Sequence, residues 1–240
     1  MTGGIRAAYP DGITLTEEVQ VRSNNHPAAD GQEANLPGTQ GAESEAVALS
    51  PGAMPLEDRS TAWKVHGETP IYDSEWIRLT SCDVETPDGQ RFDHHKVVLK
   101  AAAVVAMVDK DERVYMMWRH RFPSDIWNWE LPGGLLDPGE SADDAGKREL
   151  LEESGFVVDG AFEHVASFEP MIGMVTSPHD IYIARDVRKV AEPTEVNEAQ
   201  RVAWIPLDDM LGLMAQGKIA NSGTLVAVLY LLATRKGQDR

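Results

Sequence analysis

Between Gly134 and Phe156 the chain runs GLLDPGESADDAGKRELLEESGF, and this stretch limits what the whole can fold into. Ser141, with Asp144 three residues on, offers a helix N-cap, and Gly155 suits a left-handed stop. The spacing therefore predicts a helix over 142–154, of about three and a half turns. At about 100° per residue, Glu149, Glu152 and Glu153 fall within an arc of about 100° on one face. Like charges that close together destabilise an isolated helix, so the arrangement gains a use only where a cation sits against it. An all-oxygen cluster suits Mg²⁺ or Mn²⁺ better than zinc. Arg148 is placed to reach Glu152 at i+4 and to hold that carboxylate's orientation. Gly133 and Gly134 allow a sharp turn ahead of the helix, where a backbone carbonyl can serve as another hard ligand. A solvated acidic helix face would account for the carboxylates alone. It does not account for the full spacing.

The rest of the chain sets the frame. Its 240 residues, 42% of them apolar, are enough for a sizeable core. A formal charge of −17 argues against general affinity for nucleic acid or anionic membranes. It also repels a diphosphate unless metal ions and local basic groups reverse the field. The longest apolar run, 225–233, is too short to span a bilayer, and no N-terminal segment looks like a signal peptide, so a cytoplasmic protein is expected. The single Cys82 has no internal disulfide partner and reads as a small core residue.

Residues 1–60 hold seven Gly, five Pro and nine acidic against three basic residues, a composition expected of a disordered acidic leader. From Trp63 the texture changes to strands. Trp76–Glu85 alternates, Pro87–Gly89 turns the chain, and Arg91–Val98 pairs back as a hairpin. Ala101–Val108 is a continuous apolar run suited to a buried central strand. Arg113–Trp118, His164–Glu169, Asp180–Asp186 and Arg201–Ile205 read as further strands, and Leu207–Gln216 and Ser222–Arg235 as two closing helices. The fold class is α/β: an α/β/α sandwich with a mixed sheet over 61–240, preceded by N-terminal strands in 61–98 and by the leader.

The stretch fits G-x5-E-x7-R-E-U-x-E-E-x-G-U, with U apolar, at Gly134, Glu140, Arg148, Glu149, Leu150, Glu152, Glu153, Gly155 and Phe156. This resembles the signature of the Nudix hydrolases. The likeness extends over about residues 63–233 and is similar to ADP-ribose pyrophosphatases. Arg121-Phe122-Pro123, then Trp129 to Gly134, resembles that subfamily's R-[YF]-P…ELPAG run, with Gly133 where the family usually has Ala. Pro170 occupies the place of a family proline, whereas Met171–Thr176 departs from the usual pattern. Glu195–Glu198 followed by Val202–Leu207, and Gly217–Asn221, resemble the family's acidic loop and its ending.

The resemblance implies that Glu149, Glu152, Glu153 and the Gly133 carbonyl hold Mg²⁺ or Mn²⁺. Glu195 or Glu198 would supply a further ligand or the general base, with Glu198 preferred because it lies nearer the following strand. Glu152 and Arg148 join these as catalytic-site residues. Arg121 would contact a phosphate, Glu130 the adenine or its ribose, and Trp127, or less so Trp129, would stack on the base. The implied reaction is hydrolysis of ADP-ribose to AMP and ribose 5-phosphate, by a homodimer with exchanged N-terminal strands. NADH, FAD or a nucleotide sugar is the alternative substrate, and a non-catalytic nucleotide-sensing module the alternative class.

Overall fold

The computed structural model of the chain describes residues 61–194 and 199–235. The expected leader, 1–60, and the acidic loop, 195–198, lie outside the described residues. Strands β1 (Lys64–Asp73), β2 (Ile77–Glu85) and β3 (Arg91–Leu99) form an antiparallel meander. Gly89 takes the left-handed position of the β2–β3 turn with φ 84°. Then come β4 (Ala102–Val108) and β5 (Arg113–Arg121), joined by a turn in which Asp109 Oδ1 accepts the Asp111 and Arg113 N–H groups at 2.9 Å each.

Next in the chain are β6 (Ile126–Glu130), β7 (Gly133–Leu135), α1 (Ala142–Ser154), β8 (Phe156–Val158), β9 (Phe162–Phe168) and β10 (Val175–Thr176). Strands β11 (His179–Arg185), β12 (Val187–Lys189) and β13 (Arg201–Pro206) lead to helices α2 (Met210–Ala215) and α3 (Ser222–Arg235). The main sheet has the order β13-β5-β4-β11-β9, with β6 beside β5 and β7 beside β4. It is mixed: β4 and β11 run parallel, β11 and β9 antiparallel. A smaller sheet, β1-β2-β3-β10, includes a parallel step from β3 to β10.

The unbroken apolar run in β4 has its reason in this layering. Val104, Ala106 and Val108 join Met116, Ile183, Met210 and Val228 on the face covered by α2 and α3. Ala103, Val105 and Met107 join Met117, Ala145, Leu150 and Tyr182 on the face covered by α1. A strand buried on both sides needs apolar residues at every position, and the expected α/β/α sandwich is present. Cys82 is buried.

Two local expectations are corrected. Leu207–Gln216 begins as a 3₁₀ turn, Leu207–Asp209, and continues as α2. Leu207 N–H, which as the first N–H of the turn has no intrahelical acceptor, bonds to the Glu112 carbonyl at 3.0 Å and ties the turn to the β4–β5 corner. Gly133 and Gly134, expected to make a sharp turn, lie in β7 against β4. Their missing side chains serve close approach. A Cβ on Gly133 would run into the Ala103 carbonyl, and one on Gly134 into the Glu149 carboxylate.

Strands β4 and β5 pair at Val108–Val114 and then part, β4 continuing against β7 and β5 against β6 and β13. The start of the 134–156 stretch enters in β7 alongside β4, and α1 follows across the face that carries Ala103, Val105 and Met107.

Candidate active site

Helix α1 starts and stops where its sequence directs. Ser141 Oγ accepts the Asp144 N–H at 3.1 Å, and Gly155 closes the helix in the left-handed conformation at φ 75°. Leu150 and Ala145 face the sheet. That orientation fixes the remaining sides, and with them the carboxylates.

Arg148 gathers three of these. Its Nε and Nη2 each lie 2.9 Å from a different oxygen of Glu140, a two-pronged contact, and Nη1 reaches Glu149 at 2.8 Å and Glu152 at 3.0 Å. Nη2 also donates to the Leu135 carbonyl at 3.1 Å. The guanidinium holds the Glu140 carboxyl down at about 2, with the Asp137 N–H at 2.9 Å adding to the effect. The expected contact between Arg148 and Glu152 is present. The same side chain also ties the 135–140 loop to the helix.

Glu153 lies deeper. Its side chain is 2% exposed and forms an ion pair with Arg119 of β5, itself 3% exposed. The other oxygen accepts the Gly133 N–H at 2.8 Å. Burial pushes the carboxyl up to about 7, and Arg119 and Gly133 pull it back only in part. Hydrogen bonding between β4 and β7 falls on residues 105 and 132 and on 101 and 136, so Val104 and Gly133 form a non-hydrogen-bonded pair. Gly133 therefore turns its backbone groups away from β4. Its N–H meets Glu153, and its carbonyl stands outside the ladder.

Glu149 thus lies against Gly134 and Glu153 against Gly133 at the start of β7, and Arg148 links Glu149 to Glu152. Among the described residues no three carboxylates or imidazoles already surround a common point, and Arg148 and Arg119 pair with these oxygens. The donor set fits a hard divalent cation in charge and chemistry. Glu195 and Glu198 lie outside the described residues.

The substrate-binding candidates divide between two faces. In β5 and β6, Arg119 pairs with Asn128 and Met117 with Glu130, whereas His120 pairs with Trp127. Arg119, Asn128 and Glu130 consequently share the α1 side, and Trp127 lies on the other. Glu130 is buried, accepts from Arg121 Nη2 at 2.6 Å and Nε at 3.0 Å, and accepts from Asn128 Nδ2 at 3.0 Å. Its oxygens serve Arg121 and Asn128. Arg121 itself is half-exposed. Trp127 stacks on Trp118 with 17° between the ring planes, and Trp118 also carries the Arg201 and Lys218 cations. Trp129 packs against the core, and its backbone N–H donates to the Lys218 carbonyl.

Sequence reasoning missed Arg119 and Asn128. The signal for Arg119 was a charge at the next inward position after Tyr115 and Met117, where the alternation calls for an apolar residue.

Comparison with known proteins places this geometry in a family. Residues 98–225 match the model of the NUDIX domain. A relative in Streptomyces rubellomurinus, CMP-5'-(N-acetyl-N-hydroxy-3-aminopropyl)phosphonate hydrolase, is 41% identical over 170 residues, 71% of this chain and 82% of that protein. An ADP-ribose pyrophosphatase of Bacillus subtilis is 25% identical over 72% of this chain and 94% of its own length. The crystal structure of an ADP compounds hydrolase superimposes with a TM-score of 0.65 at 21% identity, covering 78% of this chain and all of that one. The match over residues 98–225, with the relative at 41% identity, shows that the chain belongs to the NUDIX family, as a hydrolase related to ADP-ribose pyrophosphatases.

Proposed function

We propose that the chain hydrolyses the phosphoanhydride of a nucleoside diphosphate derivative, releasing a nucleoside monophosphate, with Mg²⁺ or Mn²⁺ held by Glu149, Glu152, Glu153 and the Gly133 carbonyl. The observation that carries this reading is the Arg148 clamp on Glu140, Glu149 and Glu152, with Glu153 seated on the Gly133 N–H beside it. When bound, the cation neutralises diphosphate charge and lowers the pKa of water. The chain's own groups do the rest. Arg148 keeps two ligand carboxylates oriented, and Glu198, or Glu195, orients the attacking water and takes its proton. Arg121, held by Glu130, presents its guanidinium to a phosphate oxygen. Trp127 offers a stacking surface for a base that reaches around the end of β6.

ADP-ribose, giving AMP and ribose 5-phosphate, is one substrate. A nucleoside 5'-phosphate joined to a phosphonate is a second, favoured by the greater identity to the Streptomyces relative and by the departure at Met171–Thr176. NADH, FAD and nucleotide sugars complete the panel. The intact carboxylate set argues for catalysis over nucleotide sensing. The homodimer is supported by the N-terminal sheet, where Trp63, Val65, Ile172 and Met174 line an apolar groove of about 450 Å³. No described helix is long and apolar enough to cross a membrane. The single cysteine and the acidic charge suit a cytoplasmic enzyme acting on small molecules.

The test is turnover of the purified chain on ADP-ribose, a CMP-phosphonate, NADH, FAD and a nucleotide sugar with Mg²⁺ or Mn²⁺, products being assigned by ³¹P NMR. A nucleoside monophosphate from a diphosphate-type substrate is expected. A preference for nucleoside triphosphates, or no turnover of any member despite tight nucleotide binding, would overturn the proposal.

A further inference from the structure

We propose that Arg119 is the positioning residue of the metal site: through Glu153 it fixes the direction in which the deepest ligand carboxylate is presented. This rests on the assignment of Glu153 as a ligand. It adds a residue on a different element, 34 positions away in the chain.

Strand β5 sends Tyr115 and Met117 into the core beneath α1, and Arg119 is the next residue on that side. A methionine or leucine there would simply extend the core. A guanidinium with a side chain 3% exposed is instead costly to desolvate unless it is paired. Its partner is the most buried of the three helix carboxylates, at 2% side-chain exposure against 10% for Glu149 and 38% for Glu152. Arg119 Nη2 donates to one oxygen of Glu153 while the Gly133 N–H donates to the other. Each carboxylate oxygen has two acceptor directions. One direction on each oxygen is taken by a donor anchored in a strand, and the direction left over is set by β5 and β7 together.

The arrangement also divides the work between the two arginines. Arg148 serves Glu140, Glu149 and Glu152 from the outer side of α1. Arg119 serves Glu153 from within the sheet. Each guanidinium thus serves a different set of carboxylates. Removing the Arg119 guanidinium frees the Glu153 carboxyl to rotate, which disfavours both metal binding and turnover. A residue that only stabilised the fold would not couple its loss to the metal.

Two variants test this. Arg119→Lys keeps the charge and loses the rigid planar donor; Arg119→Met removes the charge at similar volume. Mn²⁺ binding is measured by electron paramagnetic resonance, and kcat and KM with the best substrate of the panel, at a temperature where circular dichroism shows each variant folded. Arg119→Lys should lower kcat by about 10- to 100-fold with KM within about twofold, and weaken Mn²⁺ binding several-fold. Arg119→Met should lower kcat and weaken Mn²⁺ binding at least as far as Arg119→Lys does. Where Arg119→Met does not fold, Arg119→Lys decides. A kcat within about threefold of the parent together with an unchanged Mn²⁺ affinity in Arg119→Lys would overturn the proposal. Glu153→Gln separates the two levels of the argument: Mn²⁺ binding and kcat unaffected by that change would show instead that Glu153 is no ligand.

Discussion

Glu153 gives the metal-free protein a pH-dependent weakness that can be measured. Burial holds its carboxyl at about 7 against an ordinary value of 4.5, in spite of Arg119 and the Gly133 N–H. A raised value means that the folded state binds the proton more tightly than the unfolded chain does. The contribution to stability is therefore complete below the ordinary value and is lost as pH climbs through the raised one. A rise of that size corresponds to about 3 kcal/mol at most. The side chain is too buried for solvent screening to take much from it.

The perturbation is a pH series from about 5 to 8 in EDTA, comparing the parent with Glu153→Gln, whose amide resembles the protonated acid and does not titrate. At about 2–4 °C per kcal/mol for a domain of this size, the parent's Tm should fall by on the order of 10 °C relative to the variant across the series. The gap at the acid end reports how an amide differs from an acid beside Arg119. Its change with pH isolates the ionisation, because every other titrating group is common to both chains. Mg²⁺ should recover the loss in the parent at the alkaline end and do little for the variant. Differential scanning fluorimetry is sufficient. A gap that stays constant, or moves in the variant's disfavour as pH rises, would show that Arg119 and the Gly133 N–H stabilise the carboxylate at least as much as burial penalises it.

Three further outcomes follow from the same geometry. Glu152→Gln should lower kcat by about 100-fold or more, with Tm within about 2 °C because the side chain is partly exposed; turnover within threefold of the parent would remove Glu152 from the ligand set. Arg148→Lys replaces a fork that holds both oxygens of Glu140 by a single point charge, so amide exchange in residues 135–140 should quicken and kcat fall by about 10-fold or more; unchanged exchange would refute the clamp. Arg121→Met should raise KM by about 10-fold while changing kcat less than threefold, and a KM unchanged would detach Arg121 from the phosphate.

What could be read in the sequence was local in origin. The cap at Ser141 and the stop at Gly155 act on residues three and four places away, and they bound α1 at the expected positions. The continuous apolar run of β4 announced burial on both faces, whichever elements supplied the two layers. Features set by register were hidden. A shift of one residue in the β5–β6 pairing would move Trp127 to the α1 side and turn Glu130 away from Arg121, and nothing in either strand's own sequence fixes that alignment. Gly133 and Gly134 looked like a turn because glycine permits one. Their use lies in approaches by Ala103 and Glu149, residues that reach them from a neighbouring strand and from α1. Arg119 belongs to the same class: its charge interrupts an apolar alternation, and only the packing of α1 on β5 shows that Glu153 stands opposite. The carboxylates were legible because they lie within one helix. The donors that aim the deepest of them come from two strands, so they appear only when the sheet is assembled.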